Sequence, residues 1–262
     1  MSDALDVGSL DRTQRDALRR LVLSLADSKR LMGIRYSDWL LGSPSIETGI
    51  ATSSMAQDEW GHARLLYSML KDLDIDPVPI EHDRASEEYA SVAPLDEEMP
   101  DWAALVAAIC LVDGAMTTML ESFAEGSFEP ARGRVPKMLA EEEFHASLGS
   151  AWFKRLAGAG GDAHRLLGEA TRAMIPDLLA WVGADDGPAR AMVEAGVIGD
   201  ADGRVVAFRD RVRALTALVD VDVDAVVPSE DWDPARARSP GHPSEEAVER
   251  ARGDRNRALF VE

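Results

Sequence analysis

Cysteine is nearly absent from this 262-residue sequence, in which Cys110 is the only one. A single cysteine cannot form an intrachain disulfide, and it cannot supply the several thiolates of a structural zinc or iron–sulfur site. Cys110 lies in the apolar run AALVAAICLV, where a free cysteine behaves as a small buried hydrophobic residue. We therefore expect neither disulfide nor thiolate–metal chemistry within one chain.

Long hydrophobic runs and lysines are also scarce. No uninterrupted apolar run approaches the roughly 18 residues typical of a membrane-spanning helix, and the N-terminal segment MSDALDVGSLDRTQRD does not resemble a secretory signal. Only four of the 28 basic residues are lysines, and 47 acidic residues give a net charge of −19. Such a charge repels nucleic-acid phosphates and anionic lipids. We expect a cytoplasmic protein that binds neither nucleic acid nor membrane.

Apolar residues recur at helical spacing along most of the chain. The pattern predicts four long helices over residues 11–41, 45–73, 101–125 and 131–156, with an irregular proline-rich crossover at 74–100. It also predicts helices at 163–182, 187–194 and 205–220, an extended arm at 227–244 and a last helix near 245–259. Two helix pairs joined by one long crossover are typical of a ferritin-like four-helix bundle. We predict a single all-α domain over residues 1–262, with the bundle at about 11–157 and a C-terminal helical extension at about 162–262.

Two of the predicted bundle helices carry the same motif, Glu-x-x-His. The second helix contains Glu59 and His62, and the fourth contains Glu142 and His145. Residues three apart share one face of a helix, so each pair presents a carboxylate and an imidazole to the same point. Facing pairs of this kind bind two metal ions in carboxylate-bridged di-iron and di-manganese proteins. The alternative is that each pair forms only a surface contact along its own helix.

A complete two-metal site also takes one carboxylate from the first helix and one from the third. On the third helix Asp113 interrupts an apolar run, where an acid is costly to bury unless it meets a cation. The alternative is an aspartate that forms a hydrogen bond within the core or faces solvent. On the first helix Lys29 stands where a ligand is expected, and a protonated lysine cannot bind a metal. Asp27 is the nearest acid in the sequence. We interpret it as a sixth ligand, as an acceptor for a ligand histidine, or as an exposed acid beside Lys29 and Arg30.

Four segments of the sequence resemble a known family. They are LADSKRLMGIRYSDW, PSIETGIATSSMAQDEWGHARLLYSML, LVDGAM and AEEEFHASLGSAWFKRL. These segments resemble the phenylacetate-degradation oxygenases, whose ferritin-like large subunits belong to phenylacetyl-CoA epoxidase, and the similarity covers most of the chain. QDEWGHARLLYS and EEEFH are its most specific parts.

The resemblance implies a function and a set of site residues. It implies that two iron ions bind to Glu59, His62, Asp113, Glu142 and His145, and that these residues are also the catalytic ones. Manganese is the other possible metal. It implies a di-iron monooxygenase that uses O2 to epoxidise the ring of phenylacetyl-CoA or another aromatic acyl-CoA. The expected partners are a related ferritin-like subunit and a reductase that binds NADPH, so the chain should occur in a homo- or hetero-oligomer. The sequence contains no Gly-rich dinucleotide fingerprint, which agrees with a separate reductase.

The resemblance leaves the role of the chain within such a complex open. In this family a catalytic subunit holds the metals, and a related scaffold subunit has lost the ligands. The two Glu-x-x-His pairs resemble the catalytic subunit, whereas the length, the segment LADSKRLMGIRYSDW and the C-terminal arm resemble the scaffold. Manganese catalases and ferroxidases use the same ligand set on the same bundle, so the fold alone does not distinguish them.

Overall fold

The computed structural model describes residues 5–254 and Leu259, and the chain is all-α over these residues. The α-helices are α1 (Arg12–Asp38), α2 (Ile46–Ser68), α3 (Pro77–His82), α4 (Trp102–Glu125), α5 (Glu129–Ala159), α6 (Gly161–Val182), α7 (Gly187–Glu194), α8 (Ala201–Thr216) and α9 (Glu245–Arg252). Within the described part of the chain there is no strand, and an isolated bridge joins Asp233 to Arg238. The predicted all-α, ferritin-like fold is confirmed.

Capping residues explain where the long helices begin. The Asp11 side chain accepts a hydrogen bond from the Gln14 N–H, and the Gln14 side chain accepts one from the Asp11 N–H. Ser45 and Asp101 cap α2 and α4 in the same way, through their side-chain oxygens. These bonds satisfy N–H groups that have no partner in the first helical turn. Each of these helices therefore begins close to its predicted start.

The crossover differs from its prediction, because the helix α3 lies within it. Asp76 caps this helix by accepting a hydrogen bond from the Val78 N–H, and Pro77 occupies its first position. Proline suits that position because the N–H it lacks would have no helical partner there. The prolines of this segment are therefore compatible with a helix, and the prediction of a wholly irregular crossover is wrong. At the other end of the chain α9 ends at Arg252, and most of its predicted extension to residue 259 lies outside the described residues.

The four long helices form the bundle, with α1 packed along α2 and α4 packed along α5. The C-terminal helices cover its outside, since α6 and α8 pack against α4 while α7 and α9 pack against α1. By length and composition α4 alone among the described helices resembles a membrane span, but 94% of its most apolar window is buried inside the fold. Burial of that kind is typical of the core helix of a soluble protein. Cys110 is buried in this helix, as predicted.

A close approach of α4 and α5 positions the functional residues. A Cβ atom placed on Gly149 of α5 would lie 2.4 Å from Ile109 Cγ2 of α4. Any side chain at this position would therefore require Ile109 or the two helices to shift. Their close packing brings Asp113 of α4 and Glu142 of α5 to the same depth in the bundle.

Candidate metal centre

Three bundle helices bring carboxylates and imidazoles to one buried point. Ligand atoms of Glu59 on α2, Asp113 on α4, and Glu142 and His145 on α5 lie within 4.8 Å of one another. His62 on α2 is also buried, and its Nδ1 lies 3.2 Å from Glu142 Oε1. The structure therefore brings together the five residues of this set. The alternative, that the two motifs make only surface contacts, is wrong because all five residues are buried.

The first helix contributes a lysine to this cluster instead of a carboxylate. Lys29 Nζ donates to Glu59 Oε1 at 3.0 Å, to Asp113 Oδ1 at 2.6 Å and to Glu142 Oε1. An ammonium group has three N–H donors and no acceptor, so three carboxylates match its donors one for one. The Lys29 side chain is fully buried. Lys29 thus lies where a first-helix metal ligand is expected, as the sequence indicates.

Asp27 lies outside the cluster, so its predicted roles are wrong. Its carboxylate accepts hydrogen bonds from the Arg84 guanidinium, the Tyr67 hydroxyl and the Ala90 N–H. Residues two apart on a helix do not face the same side, so α1 directs Lys29 and Asp27 to different neighbours. Asp27 is neither a metal ligand nor a histidine acceptor, and it is fully buried rather than exposed. It anchors the crossover to α1.

Each cluster histidine is paired with the acid that directly precedes the other motif. His62 Nε2 lies 2.8 Å from Glu141 Oε2, and His145 Nε2 lies 3.4 Å from Asp58 Oδ2. A carboxylate at the outer ring nitrogen orients the imidazole and leaves Nδ1 facing the cluster. Sequence reasoning missed both acids. The signal was present, because an acid directly precedes the glutamate of each Glu-x-x-His motif.

Burial and neighbouring charges shift the pKa values of the cluster. Burial lowers the pKa of Lys29, but its three carboxylate neighbours outweigh this and raise the pKa well above its usual value. Burial also opposes a charged His145, yet hydrogen bonds to Asp113, Glu142 and Glu59 raise its pKa strongly. Burial raises the pKa of Glu59 to about 7, with Lys29 opposing. Burial acts in the same direction on Glu142, but Lys29 and His145 bring its pKa well below the usual value. Lys29 and His145 are therefore the cations that balance the carboxylates.

Unpartnered acceptors indicate where a metal ion fits. Glu59 Oε2 and Glu142 Oε2 are buried and have no hydrogen-bond partner among the described residues. Such atoms are rare in native proteins and call for a missing cation or donor. His145 Nδ1 and Asp113 Oδ2 lie 3.1 Å apart beside them, and carboxylate and imidazole donors suit iron or manganese. These four residues fit one metal ion, whereas a second ion lacks its first-helix carboxylate because Lys29 stands there.

A cavity of about 560 Å³ reaches the cluster between α4, α5 and α8, and Asp113 and Glu142 are among its lining residues. Apolar side chains, including Ile109, Leu139 and Leu215, line other parts of it. Its volume lies within the range of small-molecule sites, about 300–1,000 Å³. The cavity therefore offers a small organic group a route to the buried carboxylates.

Comparison with known proteins identifies a family. A family model described as phenylacetic acid catabolic protein matches residues 1–237. The match spans the bundle, every residue of the cluster and much of the C-terminal extension. No curated protein matches this sequence.

Proposed function

Since the chain belongs to the family of phenylacetic acid catabolic proteins, we propose that it is a subunit of a multicomponent oxygenase for phenylacetyl-CoA or another aromatic acyl-CoA. One observation carries this proposal. The 560 Å³ cavity is lined in part by Asp113 and Glu142, so a ring entering it would lie next to the buried carboxylate–imidazole cluster. Its apolar wall suits an aromatic group.

The chain's own residues would bind and orient the metal. Glu59, Asp113, Glu142 and His145 would hold it, and iron bound there would supply the activation of O2. The Tyr36 hydroxyl donates to Asp113 Oδ2 at 3.0 Å and would keep that carboxylate turned towards the site. His145 Nδ1 has to give up its proton before it can bind a metal. Burial of the cluster would keep bulk water away from the reacting atoms.

The proposal includes two partner proteins. NADPH is assigned to a separate reductase subunit, in keeping with the lack of a Gly-rich dinucleotide fingerprint in this sequence. A related ferritin-like subunit is the second partner. The isolated chain should therefore show little or no NADPH-dependent oxygenation of phenylacetyl-CoA.

A second role in the same complex is favoured by Lys29. Its ammonium contacts three of the carboxylates that a di-iron centre would use. If the cluster serves only to hold the bundle together, the chain is the scaffold subunit and a partner carries the active centre.

One experiment separates the two roles. The complex is reconstituted with the partner subunit and the reductase, and NADPH consumption is measured with phenylacetyl-CoA and O2. If this chain supplies the active centre, Glu142→Gln reduces turnover by about 100-fold or more while the complex still assembles. If the chain is a scaffold, the variant keeps its turnover and only omission of the chain abolishes it.

Glu129→Gln is the matched control, since Glu129 lies on the same helix and its side chain is 70% exposed. This control should leave turnover unchanged in both cases. Full turnover by the partner and reductase without this chain would contradict both roles.

A further inference from the structure

Asp113 and Glu142 divide their oxygens between Lys29 and His145, whereas Glu59 Oε1 faces both. Lys29 Nζ contacts one oxygen of each, namely Glu59 Oε1, Asp113 Oδ1 and Glu142 Oε1. The other oxygen of each glutamate, Oε2, is buried and accepts no hydrogen bond within the described part of the chain. Asp113 Oδ2 and Glu142 Oε2 lie 3.1 Å and 3.5 Å from His145 Nδ1. Acceptor capacity thus remains on the side of His145 after the ammonium is satisfied.

The two histidines differ in their surroundings. His145 Nδ1 lies within 3.5 Å of three carboxylates, those of Asp113, Glu59 and Glu142. His62 Nδ1 lies 3.2 Å from Glu142 Oε1, an oxygen that also accepts a hydrogen bond from Lys29, and it makes no hydrogen bond of its own among the described residues. Three carboxylates therefore surround His145, although Glu59 Oε1 is shared with Lys29, while the His62 side has an ammonium where the first-helix carboxylate would be.

We infer that the bundle core holds a mixed pair of cations, one divalent metal ion on the His145 side and the Lys29 ammonium in place of the second metal. This inference deepens the proposed function, because it concerns the same site. Glu59, Asp113, Glu142 and His145 are the metal ligands, and His62 is not needed for the first ion.

Charge balance supports one metal ion rather than two. As metal ligands the carboxylates of Glu59, Asp113 and Glu142 are ionised and carry three negative charges, which one divalent ion and one ammonium neutralise. Two divalent ions beside Lys29 would exceed the charge of these three carboxylates by two. The further acids at the histidines, Asp58 and Glu141, lie at the outer ring nitrogens with side chains 33% exposed, so they compensate a buried excess charge only in part. In the Lys29→Glu variant the introduced carboxylate and those of Glu59, Asp113 and Glu142 would carry four negative charges, which balance two divalent ions. The structure thus predicts a change of stoichiometry from one substitution.

Metal content tests this inference without any measurement of turnover. The purified full chain is loaded anaerobically with Fe(II), or with Mn(II) in a parallel sample, then desalted and assayed for metal per chain. We expect one ion per wild-type chain and two per Lys29→Glu chain. Two ions, or none, in the wild type would overturn the inference. The wild-type result decides even if the variant does not fold.

A matched pair of variants tests which side the ion occupies. Asp58→Asn weakens the support of His145 and should lower metal affinity by about 10- to 100-fold. Glu141→Gln makes the same acid-to-amide change at His62 and should leave the affinity nearly unchanged. Equal losses in both variants, or a larger loss in Glu141→Gln, would place the ion elsewhere and refute the inference.

The outcomes remain separable from those of the proposed function. A chain that binds one metal ion but supports no oxygenation in the reconstituted complex would refute the proposed function and leave the mixed cation pair intact. A chain that is needed for turnover but binds two metal ions would refute the mixed cation pair and leave the proposed function intact.

Discussion

Lys29 separates carboxylates that would otherwise repel one another in the bundle core. Replacing it with methionine keeps a side chain of similar length and removes the charge. In metal-free protein we expect Lys29→Met to lower the free energy of unfolding by about 3–5 kcal/mol, because buried carboxylates lose their cation. Urea unfolding in the presence of a chelator measures this difference.

The control for this prediction is Lys154→Met, since Lys154 is an exposed lysine on α5. A surface substitution of this kind should change stability by less than about 0.5 kcal/mol. Equal effects of the two substitutions would show that Lys29 does not act as the counter-ion of the cluster.

Asp27 has a structural role that is independent of metal. Asp27→Asn removes the charge that pairs with Arg84, whose Nη1 donates to Asp27 Oδ2 at 2.9 Å. We expect a loss of about 3–5 kcal/mol in the free energy of unfolding, because Arg84 is left buried without its partner charge. Metal bound per folded chain should stay the same. Asp16→Asn on the exposed face of α1 is the control. A loss of bound metal in Asp27→Asn but not in Asp16→Asn would show that Asp27 contributes to metal binding after all.

At the scale of helices, the contact between α4 and α5 depends on Gly149. Gly149→Ala places a Cβ 2.4 Å from Ile109 Cγ2 and should cost about 1–3 kcal/mol through overpacking. Gly133→Ala on the same helix meets nothing within 4 Å and should stabilise α5 by up to about 1 kcal/mol. Thermal unfolding of the two variants measures both effects. If Gly149→Ala is as stable as Gly133→Ala, the two helices do not approach as closely as described.

The same contact links packing to the site, since α4 carries Asp113 and α5 carries Glu142. A shift between the helices would change the distance between these carboxylates. Gly149→Ala should therefore also weaken metal binding, whereas Gly133→Ala should not. The pair of variants thus distinguishes a general loss of stability from a displacement of the ligands.

At the scale of the whole molecule, the net charge of −19 acts against the compact state through self-repulsion. Salt screens exposed charges, since the Debye length falls from about 10 Å at 0.1 M to about 3 Å at 1 M ionic strength. We therefore expect the melting temperature to rise as KCl is added over this range. Sucrose at matched osmolality controls for solvent effects that do not depend on charge. A melting temperature that falls or stays constant with KCl would contradict this expectation.

Helical periodicity was sufficient to predict the all-α bundle from the sequence, because a buried stripe at three- and four-residue spacing forms only on a helix. The two Glu-x-x-His motifs placed Glu59 with His62 and Glu142 with His145, since residues three apart share a helix face. Asp113 stood out as an acid in an apolar run. All of these inferences depend on one helix at a time, and such local relations can be read from sequence.

Relations between helices depended on the tertiary structure. Whether Lys29 or Asp27 faces the cluster is decided by the rotation of α1, and Arg84 from the distant crossover contributes to this by binding Asp27. The pairing of Asp58 with His145 likewise requires α2 and α5 to lie side by side. No local pattern encodes these contacts, because they join residues far apart in the sequence. For that reason the ligand-bearing helices, and Lys29 at a ligand position, could be predicted from sequence, whereas the three hydrogen bonds from its ammonium to the carboxylates appeared only when four helices were packed together.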